Sequence, residues 1–127
     1  MSFVQNFATN TGTVAAPGQD TYLEYLSVQY TSNATAGNRQ VVVQILDAQA
    51  NVWFQMSAGA VQAASLVRRY NFLSGAARET AAVNGELNVP VPENWFVPAG
   101  GSIKVFDSAG IAAGDSMIVS GAVSTVR

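Results

Sequence analysis

Apolar and polar residues alternate with a period of two along most of this sequence, and no other feature restricts its fold so strongly. Leu26, Val28 and Tyr30 alternate with Ser27, Gln29 and Thr31, the period of a half-buried β-strand whose successive side chains leave on opposite faces. Val41, Val43 and Ile45 share a face opposite Gln40 and Gln44, and Val52, Phe54 and Met56 alternate with Trp53, Gln55 and Ser57. Between these two runs lies Asp47-Ala48-Gln49-Ala50-Asn51, rich in turn formers, so the pair is expected to close as a hairpin.

The same grammar continues to the C-terminus. Leu66, Tyr70 and Phe72 share a face with Arg68, and Leu87, Val89 and Val91 alternate with Asn88 and Pro90. Proline has no N–H to give to a ladder, so this last strand is expected at a sheet edge or to end there. Phe96 and Val97 run into Pro98-Ala99-Gly100-Gly101, a turn in which proline presets φ and glycine accepts φ > 0. A strand over 102–107, a loop over 108–114 and a final β run over 117–123 follow. Ala58 to Ala64 is the best helical stretch by composition, but it is short and flanked by Ser and Gly, which favours a loop or an irregular strand.

Roughly seven or eight strands with turns about every 8 to 15 residues predict an all-β fold, an antiparallel β-sandwich of jelly-roll type. Residues 1–20, rich in Thr, Asn, Gly and Gln, are expected as an N-terminal arm that orders on contact with a neighbour, leaving 21–127 as the sandwich domain.

Composition excludes much chemistry. The 127 residues include no histidine and no cysteine, so a Ser/His/Asp triad, a thiolate nucleophile, a histidine-ligated metal, a zinc knuckle, an iron–sulfur site and a disulfide are all out of reach. No cofactor or metal is expected. The net charge is −2 with a pI near 4.8, which leaves no phosphate-neutralising surface for nucleic acid. The N-terminus lacks the basic and apolar regions of a secretory signal, and nowhere do about 18 apolar residues run together to span a membrane. Charged residues make up 11% of the chain against about a quarter in typical domains. A surface so poor in charge suits permanent packing against other subunits.

Each remaining candidate has a chemical and a structural reading. Glu79, Glu86 and Glu93 offer carboxylates for a glycosidase pair, yet carboxylates in loops are ordinarily solvated. Asp107 and Asp115 bracket a loop and offer oxygens to a cation, but without an accompanying DxDxDG spacing the expected role is to tie the loop ends through backbone N–H groups. Arg68 and Arg69 are consecutive and so point to opposite faces, one exposed and the other needing a carboxylate or an interface partner. Together with Arg39 and Arg78 they are read as intersubunit contacts, since arginine outnumbers lysine five to one; solvated surface arginines are the alternative. Tyr22, Tyr25, Tyr30, Trp53, Tyr70 and Trp95 offer a sugar-stacking platform or an interface. Trp53, opposite Phe54 in the alternation, points away from the core. Trp53 and Trp95 are read as interface residues ahead of ligand contacts. The sequon Asn33-Ala34-Thr35 carries no meaning without a secretory signal.

Four segments carry a resemblance: Tyr30 to Arg39, Ile45 to Val52, Pro98 to Asp107 and Asp115 to Val119. Across about residues 22 to 123 the chain resembles small virion structural proteins of tailed bacteriophages, whose pattern joins a "YTASATVGNR" stretch, an "ILDAxGNV" hairpin, a "PxGxxIxVxD" hairpin and a "DDMxV" strand. It departs at Ala50, where the pattern has glycine, and at Gly114, where it has a second aspartate. The resemblance implies a non-enzymatic jelly-roll protein of the outer phage head, a decoration or cement protein bound to the major capsid protein and assembled with itself, a homotrimer being favoured. The alternatives are a tail-associated or receptor-binding sandwich that uses its aromatics on glycans and, more remotely, a carboxylate-dependent glycan hydrolase.

Overall fold

The alternating runs fold as strands in a computed structural model that describes residues 1–126. In chain order these are Ser2–Phe7 (β1), Thr11–Ala15 (β2), Thr21–Thr31 (β3), Val41–Leu46 (β4) and Val52–Ser57 (β5). Val67–Ser74 (β6), Glu86–Val91 (β7), Trp95–Val97 (β8), Ser102–Asp107 (β9) and Ser116–Thr125 (β10) complete them. No helix occurs among the described residues.

Two sheets pack as a β-sandwich. One has the order β1-β10-β3-β6-β7, with β8 pairing the start of β3 where β6 has ended; the other has the order β2-β9-β4-β5. Every pairing is antiparallel except that of β6 with β7. The inward residues of β3, Leu26, Val28 and Tyr30, face Val41, Val43 and Ile45 of β4 and Ile103 and Val105 of β9, and all of them are buried. Alternation thus does what period two requires: one face of each strand leaves water and supplies the apolar burial that holds the sheets together.

Turn chemistry fixes the hairpins. In the β4–β5 connection, Asp47 Oδ1 accepts the backbone N–H groups of Gln49 and Asn51 at 2.9 and 2.8 Å, and Ala50 takes a left-handed conformation with φ 63°. The Pro98–Gly101 turn uses Gly100 at φ 70°. Pro90 lies in β7, the outermost strand of its sheet, where a missing donor costs no ladder bond.

The N-terminal stretch does not form the expected arm. β1 pairs with β10 from Ser2 to Phe7, and β2 pairs with β9 from Thr11 to Ala15, so the segment belongs to both sheets. Phe3 and Phe7 pack against the core, each over a glycine that leaves room for its ring. A Cβ on Gly121 would meet Phe3 at 2.8 Å, and one on Gly12 would meet Phe7 at 2.5 Å. These two strands and the short β8 bring the strand number to ten, above the seven or eight read from the sequence.

Candidate functional site

The most connected polar cluster is buried. Arg39 precedes β4 and Asp115 precedes β10; both side chains are 0% exposed and they meet with Nε to Oδ2 at 2.9 Å. The Asp115 carboxylate accepts four hydrogen bonds, from Arg39 Nε (2.9 Å), Arg39 Nη2 (3.2 Å), the Tyr30 hydroxyl (2.7 Å) and the Asn33 backbone (2.8 Å). Arg39 donates its remaining protons to the carbonyls of Thr35 and Gly37, both at 2.8 Å, and to Asn33 Oδ1 at 3.0 Å. The guanidinium has five N–H groups, and all of them are used. Next to it Gln62, also buried, donates to the carbonyls of Tyr30 and Leu66 and accepts from the Tyr70 hydroxyl.

Burial pushes the Asp115 carboxyl up, but hydrogen bonds from Arg39, Asn33 and Tyr30 and the Arg39 charge outweigh it, holding the group below the usual carboxylate range. The hydrogen bond to Asp115 holds Arg39 charged. Burial, followed by the bond to Asp115, keeps the Tyr30 phenol protonated. The cluster is a structural pin that ties the β3–β4 loop to the start of β10. Arg39 is therefore unavailable to a partner, contrary to its expected interface role. Asn33, read as a sequon, spends its side-chain oxygen on Thr35 and Arg39.

Asp107 behaves as the sequence suggested. Its carboxylate accepts the backbone N–H groups of Gln40, Ala109 and Ile111 at 2.8 to 2.9 Å, which ties off the loop after β9. No cluster of three or more potential metal ligands exists among the described residues. Two of the three glutamates have structural partners: Glu79 accepts the Asn88 backbone N–H at 2.6 Å, and Glu86, the first residue of β7 and not a loop residue, accepts from Asn71 at 3.3 Å.

The other arginines lie nearer the surface. Arg68, on the Tyr70 face, is half-buried; it donates to the Val61 carbonyl at 2.8 Å and stands 5.9 Å from the Tyr70 ring centroid. Within the chain a backbone carbonyl and a ring, and no carboxylate, meet this arginine. Arg69 is exposed beside Gln29, and Arg78 is exposed against the Ser57 carbonyl.

The two tryptophans separate. Trp53 is 57% exposed, as the alternation required, whereas Trp95 is only 3% exposed and meets Phe54 edge-on at 5.3 Å. Trp95 is therefore a core residue and not an interface one: its place in β8, opposite Leu23, turns it inward. Among the described residues, its Nε1 and the Thr21 hydroxyl are buried without a hydrogen-bond partner.

The outer face of the larger sheet is broad and nearly uncharged. Register aligns Val4, Ser120, Ser27, Asn71 and Asn88 in one row, and Asn6, Ile118, Gln29, Arg69 and Glu86 in the next. Only Arg69 and Glu86 in these rows are charged. Val4, Ile118, Tyr25, Val67 and Leu73, on the same strands, are exposed. No protein-family model matches the chain, and no characterised protein is significantly similar to it in sequence.

Proposed function

We propose that this chain is a non-enzymatic structural subunit of a tailed-phage virion. In this reading it is a decoration or cement protein on the outer surface of the head, bound to the major capsid protein and to copies of itself, with a trimer favoured. The observation that carries the reading is the outer face of the larger sheet, five strands wide with two charges in its central rows. Exposed apolar patches on soluble chains mark interaction surfaces, and depletion of charge with arginine retained is the composition of interfaces.

The strand order supports the jelly-roll part of the proposal. Setting aside β7 and β8, the sheets read β1-β10-β3-β6 and β2-β9-β4-β5, the interleaving of two four-stranded sheets by which double-sheet jelly rolls of capsid and lectin domains are wound. The four segments that resemble phage virion proteins supply the remaining support, and two of them, Tyr30–Arg39 and Asp115–Val119, contribute the three side chains Tyr30, Arg39 and Asp115 of the buried pin.

Co-sedimentation with capsids of the source phage tests the proposal. The chain is expected to pellet with capsids, and Ile118→Lys, at an exposed position of the face, to weaken binding at least tenfold while leaving the thermal midpoint unchanged. Wild-type protein that stays in the supernatant would overturn it. Truncating residues 2–18 is not an informative variant, because it removes β1 and β2 from the sandwich.

A further inference from the structure

Trp53, Phe96 and Tyr22 form a continuous aromatic ledge where β5 meets β8. Trp53 and Phe96 stack with ring centroids 5.7 Å apart at an interplanar angle of 23°, and Phe96 meets Tyr22 edge-on at 6.2 Å. The exposed indole is held in place: its Nε1 donates to Asp47 Oδ2 at 3.0 Å, and Asp47 is fixed in turn by the hairpin N–H groups of Gln49 and Asn51. Hydrogen bonds from the Asn51 backbone and from Trp53 keep the Asp47 carboxyl ionised below its ordinary range. A large aromatic side chain immobilised at the surface has already lost the freedom that binding would otherwise remove.

Tyr22 is shared by a second feature. It borders a cleft of about 240 Å³ whose lining joins the polar residues Glu24, Ser74, Glu93 and Asn94 to Leu23, Val91 and Pro92. Ledge and cleft together ask for a ligand with an apolar ring face and several hydroxyl groups. The aromatic faces take the first, and the carboxylate, amide and hydroxyl groups take the second. Charge narrows the class further. Glu24 and Glu93 line the cleft and Asp47 supports the ledge, and none of the described residues lining the cleft is basic. Phosphates, uronic acids and sialic acids would be repelled. The volume lies below the roughly 300–1,000 Å³ of drug-sized pockets and suits one sugar ring, with further rings along the ledge.

We propose that this margin binds a neutral oligosaccharide, stacked on the Trp53–Phe96–Tyr22 ledge with one residue in the Tyr22/Glu93/Asn94 cleft. Nothing in the inference requires the virion reading, and the two fail separately: capsid binding is read by co-sedimentation, saccharide binding on the isolated protein.

The test uses the full chain on a printed array of neutral gluco-, galacto- and manno-configured oligosaccharides, followed by calorimetric titration of the strongest binder. Trp53→Ala is expected to weaken that titration at least about tenfold, the loss of one well-placed aromatic contact together with its buried area. Glu93→Gln is expected to weaken it severalfold. Because Trp53 is exposed and Trp95 buried, acrylamide quenching reports Trp53, and the bound saccharide is expected to protect it. The inference is overturned if the array shows no neutral glycan above background, or if both variants bind within twofold of wild type. It is overturned equally if Trp53→Ala changes only the sedimentation coefficient, which would make the ledge a protein contact.

Discussion

Replacing Asp115 with asparagine keeps the side chain's size and removes its charge, and the pin around it converts that change into a large loss of stability. Asp115 and Arg39 are both 0% exposed, so the substitution leaves a buried guanidinium with no counter-charge. Breaking a buried pair from one side costs about 3–5 kcal/mol. A domain of this kind has about 5–15 kcal/mol in all, and with a urea slope of about 1.5 kcal/mol/M the midpoint should fall by roughly 2–3 M. The assay is urea unfolding followed through the emission of buried Trp95. Arg39→Met combined with Asp115→Leu should cost less than the sum of the two single losses, since it removes both charges together, although the Tyr30 hydroxyl, the Asn33 N–H and the Thr35 and Gly37 carbonyls still lose partners. The reasoning is refuted if Asp115→Asn costs less than about 1 kcal/mol, or if the costs at the two positions simply add in the double variant.

Acid should act through the same group. Its folded pKa lies below the unfolded value of about 3.9, so its contribution is fully present above that value and is lost as pH falls through the lower folded one. The stability gap between wild type and Asp115→Asn should therefore hold at neutral pH and close below about pH 4; a gap that closes between pH 6 and 8 would contradict this. Ala50→Gly should stabilise the β4–β5 hairpin by about 1 kcal/mol, because a left-handed alanine costs about 1–2 kcal/mol and glycine's extra chain entropy takes back only part of that. A lowered thermal midpoint would count against the turn geometry. Thr21→Val removes a buried hydroxyl that has no partner among the described residues and should raise stability by about 1 kcal/mol; scanning calorimetry showing a decrease would mean that the hydroxyl is satisfied.

Most of the sandwich was readable because strand grammar is local. Leu26/Val28/Tyr30, the Asp47–Asn51 turn and the Pro98–Gly101 turn each declare themselves within a few residues, and Pro90 reported the sheet edge. β1 and β2 were missed because their inward residues, Phe3, Phe7 and Val14, stand among Asn, Thr and Gly, so a polar composition hid a sound alternation. Burial of Arg39 was not readable from its surroundings. Its partner is 76 residues away, and only the packing of the β3–β4 loop against the start of β10 brings them together. The left-handed conformation of Ala50 was not read from the sequence, because alanine carries no turn signal there. Alternation showed Trp53 facing outward and Tyr22 stood among the candidate stacking aromatics, but their meeting through Phe96 had no local signal, since the three come from strands far apart in sequence, and Trp95 in its three-residue strand offers too short a run for alternation to assign its face.

Cryo-electron microscopy of the source virion tests the functional account most directly. The account predicts density for this sandwich on the outside of the head, with Val4, Ile118 and Val67 of the larger sheet turned against the capsid or a neighbouring copy. Particles that lack the chain, or that carry it with this face open to solvent, would contradict it.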